Sequence, residues 1–314
     1  MTDLGEVQTI RRMLARLDPP VHPLTLPVGG DCAVGPLPPG EWDVALASDP
    51  VIQGVHFEWG SPPAGVGHKA LGRVLSDLAA VGAKPLWALV NIVARPDQSV
   101  AWLEAFYDGL NRLARRHQCD LIGGDLARGA DFQAHVFGVG ITPKATALTR
   151  ASARPGDVLF VTGELGGSRQ GRQFRFEPRV AEGQWLRAQA GHSAAIDLSD
   201  GLATDVRHVL AASGVGARLR IHDLPVAAAA AKCGDDRPPW VHALTDGEDF
   251  ELLFGVRPAQ AATLAAAWRQ VFQTPLWAIG ELTDQPGQLE IQTAPAARWE
   301  IVSFTGFDHY ATHA

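Results

Sequence analysis

Two consecutive α+β units, each of roughly 150 residues, are the fold that the sequence predicts. The first observation is length, because 314 residues are enough for two domains of common size. The second is that apolar runs typical of strands alternate with helix-type apolar spacing in both halves of the chain. The third is a stretch at 143–156, rich in Ala, Thr, Arg and Pro, that interrupts this alternation. We therefore expect one domain over 1–145 and a second over 146–314.

The first half is predicted to begin with a helix and then to alternate strands with helices. Apolar residues at helical spacing predict helices over three segments, 3–16, 65–83 and 99–117. Alternating or continuous apolar runs predict strands over three others, 42–49, 85–94 and 130–142. Between the last helix and the last strand, LIGGD (121–125) is a short apolar stretch that we expect to run into a glycine turn.

The second half repeats this alternation. Apolar runs predict strands over 157–163, 248–256 and 276–282, and helical spacing predicts a helix over 258–272. The segment at 193–214 is typical of a strand, a turn and a helix; its sequence is SAAIDLSDGLATDVRHVLAASG. A glycine run at 163–171 is able to cradle phosphate through backbone N–H groups or to serve as a plain turn, and we favour the turn.

Composition excludes several functional classes. Hydrophobic residues make up 46% of the chain and charged residues 19%, which supports filled cores and argues against disorder. The net charge of −7 argues against a nucleic-acid partner, which needs a basic surface. No apolar run approaches the ~20 residues of a membrane span, and the start lacks an apolar signal segment. With three singly scattered cysteines, we expect a cytoplasmic protein with reduced thiols.

Six aspartates follow apolar runs or lie in glycine turns: Asp31, Asp49, Asp77, Asp125, Asp197 and Asp200. Each one alone has a structural interpretation. Asp31 and Asp125 suit turns that satisfy local amides, and Asp77 suits a solvated helix position. Ser199 suits a helix cap, with Asp200 favoured by the helix dipole.

The six together predict a metal site if the strand ends converge. Like charges at close range do not all stay ionised without cations. Ligation by oxygen alone suits Mg²⁺ ions that bridge to phosphates, an arrangement that recurs in phosphoryl transfer. No His/Cys cluster with zinc spacing occurs, which argues against zinc. The sequence also lacks GxxxxGK[ST] and GxGxxG, so an ATP-using protein would have to use another fold.

The chain resembles the thiamine-monophosphate kinase family from about Gly5 to Tyr310. Nine segments occur in the family's order: GEVQTIRRML, GGDCAV, SDPVIQGVHF, KALGRVLSDLAAVGA, LIGGDLARG, ALTRASARPGD, VTGELGGS, IDLSDGL and GEDFELLF. The wider superfamily includes aminoimidazole ribonucleotide synthetase, selenophosphate synthetase and a hydrogenase maturation enzyme. The segments QGVHF, GEDFEL and GFDHY are closer to the thiamine-phosphate branch.

The resemblance implies an aminoimidazole ribonucleotide synthetase-like fold. In it, strands of the N-terminal ATP- and metal-binding domain form a barrel with a second subunit, so a homodimer is expected. The implied activity is phosphorylation of thiamine monophosphate to thiamine diphosphate by ATP, with several Mg²⁺ ions and direct in-line transfer. No dedicated base or nucleophile is then required, because positioning and charge neutralisation supply most of the catalysis.

The resemblance also implies roles for individual residues. The implied metal ligands are Asp31, Ser48, Asp49, Asp77, Asp125, Asp197 and Asp200. ATP contacts fall to Gly124, Asp125, Arg150 and Ser199, and the thiamine-phosphate site to His56, Glu248 and Phe307. Arg150 is able to fork onto a phosphate, and Glu248 and Phe307 suit a cationic heteroaromatic ring. For His56 a packed core histidine, and for Phe307 ordinary C-terminal packing, remain alternatives.

Several positions depart from the family pattern. Gly30 replaces an aspartate, Val74 an asparagine, Leu126 a threonine and Phe250 a tyrosine. The segment between Gly171 and Pro178 is also shorter than is usual in the family. These changes leave two alternatives open: a sibling enzyme of the same fold that uses a different acceptor, and a non-catalytic nucleotide-binding paralogue. Survival of the six aspartates argues against the second.

Overall fold

A computed structural model of the chain describes residues 12–13, 15–21, 37, 39–304 and 306–307. The chain divides into two compact units. One comprises the described residues up to Leu78 together with Ala83–Thr146, and the other comprises Ala79–Gly82 and the described residues from Ala147 onward. Most of the helix predicted over 3–16 lies outside the described residues, and so does Asp31.

The first unit contains a four-stranded sheet in the order β1-β4-β2-β3. Its strands are β1 (Trp42–Ile52), β2 (Lys84–Ala94), β3 (Asp120–Arg128) and β4 (Gln133–Pro143). β4 runs antiparallel to both β1 and β2, whereas β2 and β3 are parallel and are joined through a helix. A parallel pair needs such a crossover, which accounts for the strand–helix–strand pattern in this stretch of sequence.

Two helices of the first unit, α1 (Pro63–Ala80) and α2 (Val100–His117), pack against each other at glycine positions. A Cβ atom on Gly67 would lie 1.9 Å from the carbonyl oxygen of Phe106, and one on Gly109 would lie 1.9 Å from that of Ala64. The two backbones are therefore so close that no side chain fits between them. α1 covers one face of the sheet, where a Cβ on Gly138 of β4 would meet Val74 at 2.3 Å.

The opposite face of this sheet is apolar and exposed, and we call it the open face. It carries Val44 and Leu46 of β1, Leu89 of β2 and Phe137 of β4, with 47%, 77%, 40% and 40% of their surface exposed. Strand register places Phe137 beside Leu89, so the exposed side chains form one continuous patch. An apolar patch of this kind marks an interaction surface in a folded protein.

The second unit is built on a seven-stranded mixed sheet in the order β11-β10-β7-β9-β5-β8-β6. Its strands are β5 (Val158–Thr162), β6 (His192–Asp197), β7 (Gly216–Arg220), β8 (Leu252–Val256), β9 (Leu276–Thr283), β10 (Leu289–Gln292) and β11 (Glu300–Ile301). Its helices are α3 (Val180–Arg187), α4 (Leu202–Ser213), α5 (Pro239–Thr245) and α6 (Pro258–Val271).

Alternation along these strands gives the sheet an aliphatic face and an aromatic face. Leu159 and Leu253 belong to an aliphatic core shared with α4. The next residues along their strands, Phe160 and Phe254, stack on each other at 5.8 Å, and Phe254 contacts Trp268 of α6 at 6.0 Å. Side chains on a strand point alternately to its two sides. Neighbouring residues of one strand therefore contribute to the aliphatic core on one face and to the aromatic cluster on the other.

The predicted strands and helices of both halves are present where the structure describes the chain, with two differences in detail. LIGGD does not turn, because Gly123 and Gly124 continue β3 with φ values of 154° and 153°. The strand predicted from 248 begins only at Leu252, because Glu248 and Phe250 adopt left-handed φ values of 57° and 51°. The short elements α3, α5, β7, β10 and β11 were not predicted.

No helix among the described residues is long and apolar enough to span a membrane.

The α1–α2 contact gives a test of the fold. Gly109→Ala should lower the free energy of unfolding by about 1–3 kcal/mol, because its Cβ would meet the backbone of Ala64. Gly60→Ala is the control, since a Cβ there meets nothing within 4 Å. Urea denaturation of the two variants and the wild type measures the effect, and equal midpoints for both variants would contradict the close contact.

Candidate active site

The turn between β6 and α4 gathers acidic side chains at one place, and we call residues 197–205 the acidic turn. Asp197 ends β6 and is buried, and Asp200 follows after Leu198 and Ser199. The backbone N–H of Asp200 donates to a carboxylate oxygen of Asp205 at 3.1 Å. Gly201 has a φ of 102°, and a Cβ there would lie 2.9 Å from a backbone oxygen of Leu244, so this position favours glycine.

The electrostatics of the acidic turn favour a cation. Burial raises the pKa of the Asp205 carboxyl well above its ordinary value, and the charges of Asp197 and Asp200 raise it further. Arg150 acts in the opposite direction as a smaller effect, which places this cationic side chain within electrostatic range of the turn. A bound metal ion reduces the repulsion between like-charged carboxylates at such a site.

Asp205 was not among the predicted site residues. In the sequence it is an acid in the first turn of a helix, a position that the helix dipole already explains. In the fold, Asp200, Asp205 and His208 place ligand atoms within 4.8 Å of one another. Two carboxylates and an imidazole with this spacing suit a divalent cation, and the oxygen donors suit Mg²⁺.

Two residues predicted for substrate binding are tied to the acidic turn by backbone hydrogen bonds. The N–H of Glu248 donates to the carbonyl oxygen of Ser199 at 2.7 Å. The N–H of Phe307 donates to the carbonyl oxygen of Asp200 at 2.9 Å. The structure therefore brings four predicted residues from three distant parts of the chain together: Ser199, Asp200, Glu248 and Phe307.

In the first unit, Asp49 and Asp77 are associated with α1. A carboxylate oxygen of Asp49 accepts from the guanidinium of Arg73 at 2.7 Å, and both side chains are largely buried. Asp77 follows Arg73 by one helical turn, so the two side chains lie on the same side of α1. Ser48 is exposed, and its Cα partner on β4 is Phe137 of the open face. Asp49 and Ser48 therefore point to opposite faces of the sheet.

Gly124 and Asp125 border a cavity that is open to solvent. A Cβ on Gly124 would lie 2.0 Å from the backbone oxygen of Val90, so glycine is required where β3 passes β2. The cavity is otherwise lined mainly by apolar side chains, among them Ile92, Leu103 and Tyr107. Burial raises the pKa of the Tyr107 hydroxyl to about 12, so this group stays a hydrogen-bond donor at neutral pH. Tyr107 was missed because helical spacing alone made it a packing residue.

His56 is buried and takes part in local hydrogen bonds of the first unit. Its Nδ1 accepts from the N–H of Ile52 at 3.0 Å, which assigns the proton of a neutral ring to Nε2. Its carbonyl oxygen accepts from the fully buried ammonium of Lys69. His56 therefore has a structural role in this unit, whether or not it also binds a substrate.

The glycine run is a turn, as we favoured, and its amides are occupied by carboxylates of the protein. The N–H of Gly166 donates to both oxygens of Asp249 at 3.0 Å, and the N–H of Gly167 donates to Asp246 at 3.1 Å. Short 3₁₀ helices follow at Ser168–Gln170 and Arg172–Phe174. Because these two amides already have anionic partners, they do not form a phosphate cradle.

The shortened segment at 171–178 and the residue that follows it, Arg179, form two ion pairs with the chain that follows Glu248. Arg172 donates to Asp249 at 2.9 Å, and Arg179 donates to both oxygens of Glu251 at 2.7 and 2.8 Å. Asp249 and Glu251 are almost fully buried, so each pair is desolvated and fixed in geometry.

Comparison with known proteins first defines the class of fold. Residues 29–142 match the AIR synthase related protein family, N-terminal domain. A thiamine-monophosphate kinase from Stenotrophomonas maltophilia K279a has a TM-score of 0.79 and 32% identity, with 91% of this chain and 95% of that chain covered. AaThiL complexed with AMPPCP and TMP has a TM-score of 0.72 and 27% identity, with 95% and 97% covered. The chain is thus a two-unit α/β protein of the AIR synthase-related class.

The chain belongs to the thiamine-monophosphate kinase family. The thiamine-monophosphate kinase of Escherichia coli K12 is 35% identical to it over 331 aligned residues, which cover 98% of this chain and 99% of that protein. The resemblance drawn from nine ordered segments is therefore confirmed, and so is the aminoimidazole ribonucleotide synthetase-like fold. The family is one of kinases, so the chain is an enzyme.

The carboxyl group of Asp249 gives a pH test of the second unit. Burial raises its pKa from 3.8 to about 7, with Arg172, Ser168 and Gly166 opposing the shift. A carboxyl group whose pKa is higher in the folded than in the unfolded chain stabilises the fold fully at a pH below the unfolded pKa. This stabilisation is lost as the pH rises to the folded pKa. The free energy of unfolding should therefore fall between about pH 4 and pH 7, by up to about 4 kcal/mol from this group.

Urea titrations of metal-free protein at several pH values measure this dependence. Asp249→Asn carries no titrating carboxyl and should show a flatter profile, and the exposed Asp284→Asn should follow the wild type. Parallel profiles for Asp249→Asn and the wild type would mean that Asp249 is already ionised below this range.

Proposed function

We propose that this chain transfers the γ-phosphoryl group of ATP to thiamine monophosphate, forming thiamine diphosphate and ADP. In this step an oxygen of the acceptor phosphate forms a bond to the γ-phosphorus as the bond to the β,γ-bridging oxygen breaks. The carrying observation is the acidic turn, where carboxylates and predicted substrate-binding residues meet. Support also comes from AaThiL, which was solved with TMP and with AMPPCP, an analogue of ATP.

The proposal assigns several Mg²⁺ ions to the seven predicted ligands: Asp31, Ser48, Asp49, Asp77, Asp125, Asp197 and Asp200. The side chains of Ser48 and Asp49 point to opposite faces of the sheet, so these two side chains would not share one ion. We add Asp205, because its ligand atoms lie within 4.8 Å of those of Asp200 and His208. The residues fit the ion, since burial and two neighbouring carboxylates disfavour ionised Asp205 when no cation is bound. Bound Mg²⁺ would neutralise phosphate charge and align the reacting groups. Arg73 donates to one carboxylate oxygen of Asp49, and a carboxylate is able to bind a metal ion through its other oxygen.

The nucleoside of ATP is assigned to the cavity beside Gly124 and Asp125. Its apolar lining, which includes the side chain of Tyr107, suits a purine base. Arg150 and Ser199, in the second unit, are assigned to phosphate contacts. The Arg150 guanidinium stays charged at neutral pH, and its electrostatic effect on Asp205 supports a position beside the acidic turn.

Thiamine monophosphate is assigned to Glu248, Phe307 and His56. The acidic turn holds the backbones of Glu248 and Phe307, so the carboxylate and the ring are positioned relative to Asp200. A carboxylate and an aromatic face both attract the cationic thiazolium ring of the substrate. Phosphoryl transfer here needs no side-chain base, so these residues orient the acceptor rather than activate it.

The shortened segment favours one alternative, a different phosphate acceptor. Phe176 of this segment stacks on Phe250 with ring centroids 4.2 Å apart, directly after Glu248 and Asp249. The segment therefore packs against the backbone next to a residue assigned to the acceptor. A change in its length alters this packing and hence the acceptor that the site admits.

We also propose a cytoplasmic homodimer that pairs through the open face. Its apolar side chains lie on a sheet that ends in an unpaired strand, β1, within the part of the chain that the structure describes. Burial of such a face against a second copy would remove it from water and would cover the strand edge. This arrangement corresponds to the barrel that the family resemblance implies.

Formation of thiamine diphosphate from thiamine monophosphate, ATP and Mg²⁺ by the purified protein tests the activity. Asp200→Asn and Asp49→Asn should lower kcat by about 10²-fold or more, because each removes a carboxylate assigned to Mg²⁺. Asp97→Asn is the matched control, because Asp97 is exposed and forms an ion pair with Arg95 away from the assigned site residues. Circular dichroism confirms that each variant is folded.

The outcomes separate the candidates. Wild-type rates in both aspartate variants would contradict the metal assignment. No product from the wild type, with Mg²⁺–ATP still bound in calorimetry, would favour a different acceptor if other phosphate monoesters react. It would favour a non-catalytic paralogue if none does.

The dimer is tested by light scattering of Leu46→Glu and Phe137→Glu. Each places a charge on the open face, so we expect the wild type to be a dimer and each variant to dissociate at least about tenfold more readily. Ile301→Glu is the control, because Ile301 is 70% exposed but lies on β11 of the second unit. A monomeric wild type, or dimers that persist in both variants, would exclude the open face as the interface.

A further inference from the structure

A second group of potential metal ligands lies outside the residues assigned to phosphoryl transfer. Cys233, His242 and Asp246 come together where α5 packs against the segment that precedes it. One ligand atom from each of the three residues lies within 4.8 Å of the others. The set combines a thiol, an imidazole and a carboxylate, which differs in kind from the oxygen ligands of the acidic turn.

The distances suit one small metal ion. Nδ1 of His242 lies 2.9 and 3.0 Å from the two carboxylate oxygens of Asp246. Sγ of Cys233 lies 3.8 Å from one of the same oxygens. Ligands of tetrahedral zinc, at about 2.0–2.3 Å from the ion, are separated from one another by roughly 3.3–3.8 Å. Only small side-chain shifts are therefore needed to place all three around one ion.

The second nitrogen of His242 has the partner that zinc-bound histidines have. Nε2 lies 3.0 Å from a carboxylate oxygen of Asp235, and the His242 side chain is only 1% exposed. If the Nε2 proton is donated to this carboxylate, the lone pair of Nδ1 would face a metal ion that lies between Nδ1 and the Asp246 carboxylate. This contact is independent of the three ligands.

Asp246 is also fixed from its other side. Its side chain is 8% exposed, and one of its oxygens accepts from the N–H of Gly167 in the glycine run. The carboxylate therefore bridges the glycine run and α5. A metal on Asp246 would connect Cys233 to both of these segments.

Arg237 supplies the positive charge beside these ligands in the structure. Its guanidinium lies 3.3 Å from Nδ1 of His242 and 3.6 Å from a carboxylate oxygen of Asp246. The Arg237 side chain is 48% exposed, so it is able to turn into solvent without leaving a buried cavity. A divalent ion would replace a monovalent, solvent-accessible cation in a cluster with two carboxylates and a thiol.

We propose that Cys233, His242 and Asp246 bind one zinc ion, with Asp235 as the carboxylate that orients His242 and with water as the fourth ligand. Sulfur, nitrogen and carboxylate oxygen are the ligand types that zinc prefers. The site has a structural role, in that it fixes the segment before α5 and the glycine run to each other. The spacing Cys-x₈-His-x₃-Asp resembles no common zinc pattern, so the sequence alone argued against this metal.

Cobalt substitution tests the site in the full chain. The protein is stripped of bound metals, supplied with excess Mg²⁺ and then titrated with Co²⁺. Cobalt bound to a thiolate shows a sulfur-to-cobalt charge-transfer band in the near ultraviolet. We expect one equivalent to produce this band together with the visible bands of tetrahedral cobalt, and Zn²⁺ to abolish both. The oxygen ligands of the acidic turn cannot produce the sulfur band, and no substrate is added, so the result does not depend on the kinase activity.

Variants assign the ligands. Cys233→Ser should lose the sulfur band, while Cys119→Ser and Cys32→Ser keep it. His242→Gln should weaken cobalt binding at least about tenfold. Arg237→Ala should strengthen it roughly three- to tenfold, because a competing cation is removed. Circular dichroism of each variant shows whether it is folded.

Three results would overturn the proposal. The first is the absence of a sulfur band in the wild type, and the second is its persistence in Cys233→Ser. The third is unchanged cobalt affinity in folded His242→Gln, which would show that the imidazole is not a ligand. If Cys233→Ser does not fold, the cobalt affinity of His242→Gln still tests the site.

Discussion

The backbone of the acidic turn is the constraint on which the candidate active site depends. Carbonyl oxygens of Ser199 and Asp200 accept the N–H groups of Glu248 and Phe307, which come from distant parts of the chain. The same turn carries three of the carboxylates assigned to Mg²⁺, those of Asp197, Asp200 and Asp205. One short stretch of backbone therefore positions these three carboxylates and two residues assigned to the acceptor, and a shift of this turn would displace both sets.

This concentration of carboxylates works against the stability of the protein without metal. Asp205 is buried beside Asp197 and Asp200, and its pKa is raised because ionisation there is unfavourable. A fold that only had to be stable would place apolar or paired groups at such positions. A buried carboxyl group whose ionisation is opposed by neighbouring carboxylates is a feature of sites that bind a positively charged ligand.

Much of this fold was predictable because its patterns are local. The alternation of strands and helices, the turn and helix over 193–214 and the six aspartates all follow from residues close in sequence. The departures arose where a backbone conformation is set by distant contacts. Gly123 and Gly124 continue a strand because they pair with Leu89 and Val90 of β2, and Glu248 leaves the strand because its N–H bonds to Ser199. Neither contact leaves a signal in the local pattern.

The sequence by itself determined the order of elements, the family and the acidic residues that we propose as metal ligands, because these depend on residue type and spacing along the chain. The tertiary structure decided which residues share a site. It added Asp205 to the acidic turn, made Tyr107 part of a cavity and brought Cys233 to His242 and Asp246. These associations depend on how separate segments pack against one another. Such packing is a property of the whole chain, and the spacing of residues along the sequence does not predict it.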